Sequence, residues 1–169
     1  MPRISDAHIQ DHLPRVVLLV ISFLLIGCGD VYRTPVEYVS VGGVFITTDP
    51  TWLSEFDAKW EERHAAQAVG LELDVPVINA FRSIAGTQVV VENTQRVSCQ
   101  EVFFGIPLLG CTVGATSTIK LAHYEKNEQQ TQVYRHELAH MMLWKIKGNM
   151  DPGHKRTQLW NRIDTRGGD

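Results

Sequence analysis

The residues with the most chemistry in them are His136, Glu137 and His140, within the run His136-Glu137-Leu138-Ala139-His140. On a helix, side chains four positions apart share a face, so the two imidazoles can grip one divalent ion. Glu137 then stands beside that ion, where a carboxylate can take a proton from an activated water. The H-E-x-x-H spacing therefore predicts metal-assisted hydrolysis, with Zn2+ as the ion, His136 and His140 as ligands and Glu137 as general base. An ordinary amphipathic helix carrying two surface histidines has the same spacing, so the rest of the chain must decide between them.

A catalytic zinc uses three protein groups and keeps a position for water. No Glu follows Glu137, which removes a downstream glutamate as third ligand. The groups that remain are His154 and the carboxylates of Asp151, Asp164 and Asp169. Gly148, Pro152 and Gly153 let the chain turn back after the motif helix, bringing Asp151 or His154 towards the ion. His154 is the expected third ligand and Asp151 the alternative. The motif helix is expected from about Thr131 to about Lys147, with Tyr134, Leu138, Met142 and Ile146 as an apolar stripe away from the ligand face. A donor for a developing oxyanion is also required, and His123, Tyr124 and Arg156 are the candidates.

The run from His136 to Trp160, HELAHMMLWKIKGNMDPGHKRTQLW, resembles the signature of compact SprT-like metallopeptidases. That signature is an H-E-x-x-H helix, a short loop, a third His and a helix bearing an aromatic. The resemblance implies His136, His140 and His154 as ligands, Glu137 as catalytic acid/base, and Leu159, Trp160 and Ile163 as the packing part of the second helix. Lys155 stands where the family usually has Gly after the third His. The family's intracellular role on DNA-linked proteins does not carry over to an exported chain without a basic surface. The shorter metzincin pattern fails, because Leu143 and Ile146 occupy the positions that need Gly and His.

Export is read from the N-terminus. Arg3 and Arg15 flank a polar leader, and the apolar run from Val16 to Ile26 is short for a membrane span but suits a secretory signal. Leu25-Ile26-Gly27-Cys28 resembles the lipobox of bacterial lipoproteins, which implies lipidation of Cys28 as first mature residue. A non-lipidated signal or an uncleaved anchor is the alternative. Gly29 after the cysteine, by similarity to diderm lipoproteins, favours the periplasmic side of the outer membrane. Residues 1–27 are thus a lipoprotein signal peptide, 28–35 a tether and 36–169 the catalytic domain. With Cys28 used by the lipid, Cys99 and Cys111 are left as a pair for an oxidising compartment. A disulfide there is worth about 3 kcal/mol in the chain-entropy model, and metal ligation is the lesser alternative because neither lies in C-x-x-C.

The elements must place these groups. Val36 to Thr48 reads as a strand or bulged hairpin around Gly42-Gly43, and Thr48-Asp49-Pro50 as the start of a helix that Gly70 ends. Leu53, Phe56, Trp60 and Ala68 are its expected apolar stripe; His64 lies near it and is expected to be a packed or surface histidine. Val75–Ala80, Thr87–Val91, Val97–Phe104 and Thr116–Leu121 read as strands, with Gly105–Gly110 an irregular apolar loop held by the cysteine pair. Thr116–Leu121 is expected to be the edge strand to which a peptide adds.

The 169 residues are 44% hydrophobic and 21% charged with a formal net charge of -3, which suits one globular domain and disfavours nucleic acid as partner. The expected fold class is α+β: a small zincin-like domain with a mostly antiparallel sheet, one N-terminal helix, and an HExxH helix followed by a short C-terminal helix. The expected function is a cell-envelope zinc metallopeptidase acting on peptides or proteins, membrane-bound through its N-terminal lipid. Its rival is a non-catalytic envelope lipoprotein, a peptide-binding or structural module on the same scaffold. The oligomeric state is not legible.

Overall fold

The computed structural model describes residues 35–49, 52–99, 107–123 and 127–165. The signal peptide, Cys28, nearly all of the tether and Tyr124 lie outside the described residues. Thr34–Asp169 forms one compact unit. Its strands are β1 (Val36–Val39), β2 (Phe45–Thr48), β3 (Gln88–Glu92), β4 (Val97–Ser98), β5 (Pro107–Leu108), β6 (Gly110–Val113) and β7 (Thr118–Ala122). The helices are α1 (Glu55–Leu73), α2 (Val77–Ser83), α3 (Asn127–Lys147) and α4 (Thr157–Asp164), with a 3-10 turn at Gly114–Thr116.

The class is α+β, as expected, but the sheet is mixed. Its order is β1-β2-β3-β7-β6, and the β2/β3 and β3/β7 pairings are parallel while β1/β2 and β6/β7 are antiparallel. The reason is the connection: β2 reaches β3 through two helices, and a crossover of that kind delivers its strands parallel. β7 has β3 on one side and β6 on the other, so it has no free edge and cannot receive a peptide strand. β6 is the edge strand on the site's side.

Two N-terminal helices form where one was expected, because the stretch Val75–Ala80, expected as a strand, enters a helix at Val77–Ser83. Pro76 at its N-cap position supplies a φ ready for a helix start, and buried Ala80 and Ile84 keep helical spacing. α1 begins later than Thr48-Asp49-Pro50 implies. Its N-cap is Ser54, whose hydroxyl accepts the Asp57 amide at 3.1 Å, with Glu55 and Asp57 in the first turn. Gly70 stays inside the helix instead of ending it. A Cβ there would lie 3.1 Å from the Val75 carbonyl, so the bare glycine lets the returning chain close in.

α1 packs on α3, and the residues it buries include Ala58, Ala65, Ala66, Ala68 and Val69. This puts Phe56 outside, at 77% exposed, contrary to the expected stripe. The core-facing residues of the sheet, Ile46, Val89, Ile119 and Leu121, join Tyr134, Leu138 and Met142 of α3 in one cluster. On the opposite face Cys99 and Cys111 form the expected disulfide, with Cα atoms 6.4 Å apart, in a small cluster with Val97, Leu108 and Ala122. Among the described residues, no helix is long and apolar enough to cross a membrane.

Candidate metal centre

α3 presents His136 and His140 on one face, four positions apart as the sequence requires. The chain then has to return. Gly148, with φ 69°, ends α3 and donates its N–H to the Trp144 carbonyl at 2.8 Å. Asp151 and His154 also have positive φ, 55° and 49°, and the His154 amide bonds the Asp151 carbonyl at 2.9 Å. Asp and His are among the few non-glycine residues that tolerate this region.

The turn brings three imidazoles together. The Nε2 atoms of His136, His140 and His154 are each 3.2 Å from the other two. Three nitrogens bound at zinc distance in a tetrahedral site are about 3.3–3.4 Å apart, so the donor set fits zinc in type, number and spacing.

The remaining ring nitrogens are held. His140 Nδ1 lies 2.6 Å from the Met150 carbonyl, which fixes a tautomer with a lone pair on Nε2. His136 Nδ1 faces Asp164 Oδ1 at 3.5 Å. Burial, then neighbouring His136, brings His140 down to about 3, against the pull of the Met150 carbonyl. Burial and then His154 lower His136, with Asp164 opposing. Both rings are thereby kept in the neutral form that a metal needs.

Trp160 of α4 forms the floor. Its ring centroid is 4.7 Å from that of His136, 4.3 Å from His140 and 4.4 Å from His154. Asp151, the alternative ligand, has its carboxylate committed elsewhere: Oδ1 accepts the Lys155 amide at 3.1 Å, and Oδ2 accepts the Arg156 amide at 3.0 Å and the Trp160 indole at 2.9 Å. His154 is the residue that joins the histidine pair.

Glu137 is 7% exposed and lies between α3 and β6. Thr112 Oγ1 is 2.8 Å from its Oε2 and 2.9 Å from its main-chain carbonyl. Burial raises its carboxyl to about 7, against the opposing bond from Thr112, which suits a group that must both take and give a proton near neutrality. A cleft runs past these residues. One part, about 190 Å³, is bounded by the three histidines, Glu137, Leu108 and Met150; a larger part, about 450 Å³, continues past Arg96, Val133 and Asp164.

Other expectations fare differently. Tyr134 points into the core, as expected, and donates to Glu62 Oε1 at 2.9 Å. His64 stacks on Trp60 and bonds the Arg162 carbonyl at 3.1 Å, as a packed histidine. Arg156 pairs with Glu72 at 3.4 Å, and neither it nor His123 borders the cleft. Thr112 and Met150 were not anticipated; both act through contacts that no local pattern records. No family model matches this chain, and neither a curated protein nor a solved structure matches it.

Proposed function

We propose that this chain is a cell-envelope zinc metallopeptidase with a minimal zincin-like catalytic domain, tethered through a lipid on Cys28. One observation carries the proposal: three imidazole nitrogens meet at 3.2 Å separations beside a buried glutamate whose carboxyl sits at about 7.

His136, His140 and His154 would hold the ion. When bound, zinc supplies Lewis-acid polarisation of a carbonyl and a water acidified towards neutrality. Glu137 takes the proton from the attacking water and gives it to the leaving amine. The edge strand β6 aligns the substrate. Leu109 accepts the Ala122 amide at 2.8 Å, so Leu109, Cys111 and Val113 face β7 and the main-chain groups of Gly110 and Thr112 face away from it. Among the described residues no strand covers that side, and an extended peptide added there runs along the cleft past Glu137.

The domain from residue 29 onward should bind about one zinc, and His154→Ala should lower that occupancy strongly. Glu137→Gln should keep the metal and lose cleavage of a broad peptide library. Equal cleavage by wild type and Glu137→Gln would defeat the peptidase reading.

A further inference from the structure

Thr112 touches both ends of one residue. Its hydroxyl lies 2.8 Å from Glu137 Oε2 and 2.9 Å from the Glu137 main-chain oxygen, and both side chains are nearly buried. A single hydroxyl between the backbone and the carboxylate of the same residue closes a ring that restrains the torsions linking them. Its proton cannot serve both acceptors fully, and a charged oxygen is the stronger partner. The other oxygen, Oε1, has no hydrogen-bond partner among the described residues, and Glu137 borders both parts of the cleft.

We propose that Thr112 is a positioning residue for Glu137, resting on the reading of Glu137 as acid/base. Its hydroxyl donates to Oε2 and so reserves Oε1 for the reaction. The attacking water's O–H bond breaks and its proton forms a bond to Oε1. That same oxygen then releases the proton to the leaving nitrogen, with no rotation of the carboxyl group between the two transfers. The β-branched threonine has few χ1 choices, which keeps Oγ1 aimed at the glutamate from the edge strand.

The experiment compares zinc-loaded wild type, Thr112→Val, which keeps the shape without the hydroxyl, and Thr112→Ser, which keeps the hydroxyl. In Thr112→Val, kcat on a cleaved peptide should fall about ten- to hundredfold at unchanged KM and zinc content. Thr112→Ser should recover most of it. A purely structural role would instead lower Tm in Thr112→Val and leave kcat of the folded fraction intact, which would overturn the proposal. Crystal structures supply a readout that needs no activity: the Glu137 carboxyl should swing away in Thr112→Val and stay in Thr112→Ser. A carboxyl that stays put in both overturns the assignment. Should wild type cleave no peptide, the peptidase reading falls and the crystallographic arm alone decides whether Thr112 positions Glu137. Thr112→Ala replaces the valine variant if the latter does not fold.

Discussion

The Asp151 carboxylate accepts the indole N–H of Trp160 at 2.9 Å, and this bond joins the return loop to the floor beneath the three histidines. The same carboxylate gathers the Lys155 and Arg156 amides, so it organises the turn that delivers His154. Burial opposes its charge, but the Trp160, Arg156 and Lys155 bonds and the Arg156 charge outweigh it and hold the carboxyl below its ordinary range. Asp151→Ala should therefore weaken zinc binding about 10–100-fold without removing a ligand. Competition with a chromophoric chelator measures this. Affinity equal to wild type would show that the loop holds itself.

At Gly110 β6 lies tight against α3. A Cβ there would lie 2.6 Å from Val133 Cγ1 and 3.0 Å from both Glu137 Cγ and Leu121 Cδ2. Gly110→Ala must push the edge strand from the motif helix, at a cost of about 1–3 kcal/mol, and should displace the Glu137 side chain as well. Gly153→Ala is the control, since its added Cβ would meet only Lys155 carbons at 3.9 Å and beyond. Its change should be within about 0.5 kcal/mol in urea unfolding. Similar losses for the two variants would remove the close-contact explanation.

The features legible in the sequence were those with a local signature. H-E-x-x-H has a period and a chemistry, and the glycines and proline after it announce a turn that returns Asp151 or His154 towards the pair, with His154 the choice that the family resemblance also implies. Val75–Ala80 misled because its apolar run has no length or partner pattern that separates a buried strand from a short helix such as Val77–Ser83; Pro76 was the available cue. Phe56 misled because α1 buries its small residues, Ala58, Ala65, Ala66 and Ala68, and leaves Phe56 in solvent, a distinction that apolar spacing alone does not make. Thr112 was beyond reach: its contact spans 25 positions and depends on β6, not β7, forming the sheet edge.

Glu62 gives a pH signature remote from the histidines. Burial raises its carboxyl above the ordinary 4.5, with bonds from Ser40, Gly42 and Tyr134 opposing. From about that value upward the folded chain keeps a proton that the unfolded chain has lost. Its contribution to stability is complete below this window and is lost as pH rises through the raised value. Glu62→Gln should flatten this part of the profile, so the wild-type minus variant difference in Tm should decline with rising pH. A difference independent of pH, in thermal melts from pH 4 to 8, would refute it.

Arg135, next to the first histidine, is fully buried and ties three helices together. Its Nε donates to the Ile163 carbonyl at 2.6 Å and its Nη1 pairs with Glu61 Oε2 at 2.9 Å. Through these bonds α3 is clamped to α1 and to the C-terminal end of α4, the helix that carries Trp160 and Asp164. Removing the carboxylate leaves a buried guanidinium without its counter-charge, so Glu61→Ala should cost about 3–5 kcal/mol. Replacing both partners with apolar residues, as in Glu61→Leu with Arg135→Met, should cost much less than Glu61→Ala alone, because no orphaned charge remains. Urea midpoints for the single and double variants measure the coupling. A double variant as unstable as the single would place the cost in lost packing and not in the unpaired charge.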